Sequence, residues 1–207
     1  MRLGILITTL LAVAFLIACG NPAADKSRAV TGEAAPVSPQ TVQGQKYAIT
    51  AQNSKIEFVG SKVTGSEHGS FGDFSGQIDY PGNAEASRVN INIKMDSVVT
   101  DSSGLDKHLK TADFFDVEKF PHATFVSTLI KPGGDKGATH TVTGNLTMHG
   151  VTKSVSFPAI INVTPDAATV ESSFSINRKV FGINYPGPRD NLIRDDVVLT
   201  LHVRATK

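Results

Sequence analysis

Two stretches of strict period-two alternation constrain this chain more than any other feature. In Arg88 to Met95, the apolar Val89, Ile91, Ile93 and Met95 alternate with Arg88, Asn90, Asn92 and Lys94. Successive side chains of a strand point to opposite faces, so this pattern describes a sheet that is wet on one side only. Val197, Leu199, Leu201, Val203 and Ala205 repeat it near the C-terminus, between Val198, Thr200, His202, Arg204 and Thr206. Weaker alternation in Ile56 to Phe58, Phe74 to Tyr80, Ala123 to Ile130 and Ala168 to Ile176 adds further strands. Gly, Pro, Asn and Asp separate these runs, as turns require. No long internal repeat and no strand-helix-strand rhythm is visible.

One hairpin can be read in register. If His149-Gly150 is a two-residue turn, Met148 faces Val151, Leu146 faces Lys153, Gly144 faces Val155 and Val142 faces Phe157. Directly opposed residues share a face. The register therefore gathers Val142, Leu146, Met148, Val151, Val155 and Phe157 on one apolar face. Lys153 is the intruder, roughly 7 Å from the turn at about 3.4 Å per residue, with its amine directed along that face.

Asp101 to Pro121 has a different texture. Ser103-Gly104-Leu105-Asp106 reads as a capping box, and Leu105 and Leu109 fall on one helical face, so a short helix is expected with Phe114-Phe115 after it. The fold class is all-β: a single antiparallel barrel of about eight strands with one short helical insertion. Closure removes edges that an open sheet of this size would have to guard.

The N-terminus carries an address. Arg2 precedes an apolar run from Leu3 to Ile17, too short for a comfortable membrane span but sized for the core of a signal peptide. Leu16-Ile17-Ala18-Cys19 resembles a bacterial lipobox, which implies cleavage before Cys19 and acylation of its thiol and amine. Cys19 is the only cysteine, so no internal disulfide forms. Gly20 to Gly44, rich in Ala, Pro, Ser, Thr and Gln, reads as a disordered linker. The expected organisation is a signal peptide over 1–18, lipidated Cys19 and linker over 19–44, and the barrel domain over 45–207. Gly20 is not the aspartate associated with inner-membrane retention, which points to an outer-membrane anchor facing the periplasm.

Function classes can be excluded in turn. A net charge of +1 gives no basic surface for nucleic acid. His68, His108, His122, His140, His149 and His202 form no paired ligand motif, so neither metal nor cofactor is expected. No nucleophile motif is present and the one thiol is committed to lipid, so no catalytic residue is named. An enzyme acting on a lipid or quinone would have only Lys153 and a carboxylate such as Asp113 or Asp116 to use. Asn145-Leu146-Thr147 and Asn162-Val163-Thr164 match a glycosylation pattern that has no role in a bacterial lipoprotein.

A barrel of about eight strands is just wide enough to be filled by side chains or to hold one small ligand. Gly60, Gly76, Gly144 and Ser172, in line with larger apolar neighbours, favour unfilled volume. Small residues also suit tapered or bent barrels, so both readings stand at this point.

Three ordered motifs carry a family resemblance. His108-Leu109-Lys110-Thr111-Ala112-Asp113-Phe114-Phe115-Asp116-Val117-Glu118-Lys119-Phe120-Pro121, continuing to Phe125, resembles the signature of the YceI-like family. Thr143 to Lys153 and Asn177 to Ile183 resemble its second and third signatures, and the likeness runs over essentially all of Gln45 to Lys207. It implies a lipocalin-like barrel enclosing a long apolar chain, a polyisoprenoid or a fatty-acyl amphiphile. The segment Gly60 to Gly69 looks longer and more polar than in relatives, so the pocket mouth there is expected to differ.

The side chains expected around such a chain are Phe58, Phe74, Ile91, Ile93, Leu105, Leu109, Phe114, Phe115, Phe125, Leu146, Phe157, Phe174 and Phe181. A charged head would need cations at the mouth, for which Lys153, Arg178 and Lys179 are the candidates. The competing reading is that these three are solvated or snorkelling rim residues. The expected partners are an apolar lipid and, through Cys19, a membrane, and the sequence is equally compatible with a homodimer. The rival to a carrier is an envelope interaction or stress-related module with a packed interior and an exposed apolar patch at Phe114 and Phe115.

Overall fold

The structure is a computed structural model that describes residues 20–37 and 42–207; the signal segment, Cys19 and residues 38–41 lie outside the described residues. The chain begins with β1 (Ser27–Arg28), β2 (Val30–Glu33), β3 (Gln45–Thr50), β4 (Lys55–Ser61), β5 (Ser66–Phe71), β6 (Phe74–Tyr80), β7 (Arg88–Lys94) and β8 (Val98–Thr100). A helix, α1 (Ser103–Leu109), precedes β9 (His122–Pro132), β10 (His140–Met148), β11 (Val151–Val163), β12 (Ala167–Asn177) and β13 (Asp196–Thr206).

The ring runs β12-β11-β10-β9-β7-β6-β3-β13 and returns to β12, a closed antiparallel barrel of eight strands. β3 touches β13 only at Ala48 and Thr206; lower on the same edge β4 takes over, pairing Ile56 with Leu201 and Phe58 with Leu199. β5 and then β8 extend the sheet outward from β4. Strict alternation explains the closure. Val89, Ile91 and Ile93 of β7 and Val197, Leu199, Leu201 and Val203 of β13 all turn inward, where they pack on the buried core.

The β10–β11 hairpin has the register read from the sequence, from Met148 opposite Val151 to Val142 opposite Phe157. Its turn works because His149 and Gly150 both adopt positive φ, 51° and 75°, the hand that matches strand twist.

Two readings require correction. The helix is capped one residue earlier than expected: the Ser102 side chain accepts from the Leu105 amide at 3.5 Å. Asp106 is thereby free to accept from the Thr100 amide at 2.6 Å, tying the helix to β8. Gly20–Gly44 is not a structureless linker throughout, because Ser27–Glu33 forms β1 and β2 on the barrel wall. Backbone pairing holds that segment where apolar periodicity gave no signal.

The interior has two buried clusters. One gathers Tyr47, Ile49, Ile56, Phe58, Phe71, Phe74, Ile78 and Met95 under Leu109 and Phe114. The other gathers Ile130, Val142, Val155, Phe157, Phe174, Ile176 and Phe181, with Ala29 from the N-terminal segment.

Candidate functional site: an apolar lumen

Between the two clusters lies a cavity of about 230 Å³. Its wall draws on every strand of the barrel ring and on the segment after α1, from Ile49 and Ile78 through Ile91, Phe125, Leu146 and Phe157 to Leu199 and Val203. An apolar cavity of about 150 Å³ already stays dry and binds small hydrocarbons, so this lumen is suited to hydrocarbon rather than to water.

Ten of the thirteen expected pocket residues line it: Phe58, Ile91, Ile93, Leu109, Phe114, Phe115, Phe125, Leu146, Phe157 and Phe174. The other three do not. Phe74 and Phe181 are packed into the two clusters as core, and Leu105 is partly buried and packs against the first cluster. Sequence reasoning missed Ile49, Ile78, Val89, Met95, Ile130, Ile183 and Ile193 among others. Val89, on the inward face of β7 with Ile91 and Ile93, and Met95, which continues the same alternation just beyond β7, carried a signal. Phe114 is 8% exposed and Phe115 half-buried, both turned to the lumen, so the apolar patch that a packed interaction module would display is absent here.

The small residues divide. Gly60 borders the lumen, and a Cβ there would meet nothing within 4 Å. Gly76 and Gly144 leave no void: a Cβ would lie 2.4 Å from the Asn90 carbonyl oxygen and 2.4 Å from the Phe125 ring. Ser172 donates to the Pro158 carbonyl at 2.6 Å and is wall, not space. Gly69, which the sequence did not single out, lets the Phe58 ring lie across its backbone, 2.3 Å from where a Cβ would sit. Glycine opposite an aromatic ring thus shapes the wall more often than it empties it.

The three cation candidates have different fates. Arg178 is 5% exposed and reaches the lumen wall, but its nitrogens are spoken for: Nη1 donates to the Ile183 carbonyl at 2.7 Å, Nε to that of Arg194 at 3.2 Å and Nη2 to that of Ile193 at 3.4 Å. Burial pushes its guanidinium below the ordinary value, which the Asp195 carboxylate partly opposes. The fork therefore fastens the 183–194 loop over one end of the barrel and shows the lumen mainly its stem. Lys153 is on the apolar face, as the hairpin register requires, and turns its amine out to Glu33 at 2.7 Å. Lys179 is exposed and pairs with Asp195 at 2.9 Å. Lys153 and Lys179 thus follow the snorkelling reading.

Among the described residues no group of three or more His, Cys, Asp or Glu side chains could hold a metal ion. His68 lies on β5 opposite Val59, and the other five histidines sit in local contacts. His108 bonds Asp113 at 2.8 Å and meets the Phe114 and Tyr185 rings edge-on, His122 bonds Asn92, and His149 bonds the Phe181 carbonyl. His140 lies 3.7 Å from Glu85, and His202 lies between Glu171 and Glu57 on the outer face. Asp113 thus anchors His108, and neither it nor Asp116 lines the lumen.

A closed antiparallel barrel around an apolar lumen, capped by a short helix and a loop, places this protein among the lipocalin-like hollow β-barrels. The sequence profile of the YceI-like domain matches residues 47–205, and the chain belongs to the YceI-like family. It is 39% identical to a UPF0312 protein of Pseudomonas putida strain F1 over 137 residues, 63% of this chain and 70% of the relative. A UPF0312 protein of Pseudomonas fluorescens strain SBW25 is 37% identical over 139 residues, 64% of this chain and 71% of that protein. Among solved structures it is similar to Burkholderia cenocepacia BcnA, with a TM-score of 0.68 and 25% identity over 76% of this chain and 99% of that one. A polyisoprenoid binding domain from Saccharophagus degradans shares the fold, with a TM-score of 0.62 and 17% identity over 78% and 99% of the two chains.

Proposed function

We propose that this protein is a carrier that encloses the hydrocarbon chain of an amphiphile, a polyisoprenoid or a fatty-acyl lipid, while tethered to the bacterial envelope through an acylated Cys19. The observation that carries the reading is the unfilled apolar lumen. A vacancy of about 230 Å³ costs a fold on the order of 5 kcal/mol relative to a filled core, and a chain under no demand for space would fill it. The occupant's length follows from magnitudes. Association costs about 4–15 kcal/mol while each buried methylene contributes about 0.8 kcal/mol, so only a ligand with many methylenes binds well.

Among the described residues the wall is apolar apart from Arg178, whose nitrogens are bound to backbone carbonyls, and the protein acts by exchanging water for apolar contact rather than by catalysis. The polyisoprenoid-binding neighbour of the same fold supports the choice of ligand. Ala18-Cys19-Gly20 supports cleavage, acylation and an outer-membrane address facing the periplasm. Mass analysis of the protein purified from its own envelope tests both halves. A prenyl or acyl lipid at one per chain, and an N-terminal peptide starting at acylated Cys19, are expected. A protein that arrives empty and takes up neither class of lipid would sink the carrier.

A further inference from the structure

β11 and β12 are joined by a short turn and should zip together along their length, yet they pair with each other only from Ile160 to Val163 against Ala168 to Glu171. Further along they part, and the N-terminal segment runs between them. Ser27 and Arg28 pair with Phe174 and Ser175 of β12 in parallel, the Ala29 amide donates to the Ser175 carbonyl at 2.8 Å, and Val30 to Glu33 pair with Ser156 to Lys153 of β11. One strand, lying outside the matched domain of 47–205, thus fills the gap in the barrel wall between β11 and β12, behind the lumen-lining Val155, Phe157, Phe174 and Ile176.

This strand is held almost without apolar burial. Its inward residues are Ser27, Ala29 and Thr31; Ala29 alone joins the core, at 7% exposed, while Val30 points outward at 72%. Both ladders carry Ala29 level with Phe157 and Ile176, beside the Phe157–Phe174 ring stack at 4.4 Å. The remaining ties are polar and mostly at the surface: Arg28 to Asp196, Ser27 to Asp135, and Glu33 to Lys153. The Asn145 amide grips the backbone of Ala35 on both sides, at 2.9 and 2.7 Å, ending the strand as another strand would.

We propose that residues 27–35 are a displaceable strap over a lateral slot between β11 and β12, and that its release sets the rate at which hydrocarbon enters and leaves the lumen. The strap is bound through backbone pairing to two strand edges, the mode by which peptides add to sheets and leave them again. It also faces the supply of ligand. Ser27 follows Cys19 by roughly 8 residues, a reach of at most about 28 Å, so a docked strap keeps the slot near the anchoring bilayer.

This rests on the carrier reading, and the test separates the two. In the full chain, Val30→Cys with Ser156→Cys, register partners on the outer face, locks the strap when oxidised. Uptake and release of cis-parinaric acid, a fluorescent acyl chain, are expected to slow at least tenfold on oxidation and recover on reduction, with equilibrium affinity changed less than about twofold. Asn145→Ala is expected to speed exchange several-fold. Unchanged rates in the locked protein, with binding intact, would overturn the strap and leave the carrier standing; absence of binding in the wild type would overturn both. Hydrogen exchange gives a ligand-free check: strap amides are expected to exchange far faster than those of β12 and β13, and exchange only on global unfolding would also overturn the proposal.

Discussion

The two halves of the barrel wall reach closure differently. Around β6, β7 and β9, long ladders of alternating residues run without interruption, from Phe74 opposite Ile93 to Ile91 opposite Phe125, and the segment after α1 seals the end with Phe114. Around β11 and β12 the ladder is interrupted and a strand of small residues from outside the family domain completes it. The first half owes its closure to side-chain burial and the second, along the strap, to backbone pairing. Burial is cooperative and hard to undo locally, whereas a strand with one buried methyl group opens at small cost. A carrier needs both properties, a wall that persists and a part of it that yields.

Several substitutions sharpen or break this contrast. The largest effect is expected beneath the strap, where the β11–β12 half has its own true core: Phe181 is fully buried, and Phe181→Ala should cost about 3–5 kcal/mol in denaturant unfolding. A loss below about 1 kcal/mol would mean that this half is loosely packed throughout. Next, Gly144→Ala drives a methyl into the Phe125 ring and the Val126 carbonyl and should cost about 1–3 kcal/mol, while Gly60→Ala, facing open lumen, should leave stability within about 0.5 kcal/mol. Equal costs at the two glycines would refute the distinction between filled and empty wall.

Smaller effects belong to the strap. Arg28→Ala removes an exposed ion pair with Asp196 and should lower global stability by less than about 1 kcal/mol, while measurably raising hydrogen exchange in residues 27–33. The smallest is a pH effect. The hydrogen bond from Lys153, and then its charge, hold the Glu33 carboxyl below the ordinary value. A carboxylate with a depressed folded-state pKa stabilises above its ordinary value and ceases to as pH falls through the lowered one. The strap's opening equilibrium, read as hydrogen-exchange protection after division by the intrinsic amide rate, should thus be flat from about pH 8 to 5 and shift toward the open form below about pH 4, and Glu33→Gln should flatten the profile. A rise between pH 7 and 6 would point to a histidine instead.

The same contrast explains what could be read from the sequence. Alternation in β7 and β13 announced inward faces because burial selects apolar residues at period two. His149-Gly150 fixed a hairpin register to the residue, because positive φ at both positions leaves few other turns. The strap was invisible because backbone pairing selects no residue type: Ser27, Ala29 and Thr31 look like linker. Asn145 was read as part of the second family signature and of a glycosylation pattern, neither of which announces that its amide bonds the backbone of Ala35. Arg178 was read as a head-group cation at the mouth; it lies on the lumen wall, and its partners are backbone carbonyls of residues 183–194 that no pattern announces. Gly144 and Gly76 were misjudged as empty space because the ring or backbone that occupies it comes from a neighbouring strand.

The central claim is that the lumen is a vacancy kept for hydrocarbon, and Gly60 offers the most direct test. Titration of a fluorescent acyl chain into wild type and Gly60→Phe should give one site per chain in the wild type. The variant, its ring projecting into the lumen, should bind at least tenfold more weakly while melting no earlier. Equal affinity in the two proteins would contradict the account, because the hydrocarbon would then be bound somewhere other than the barrel interior.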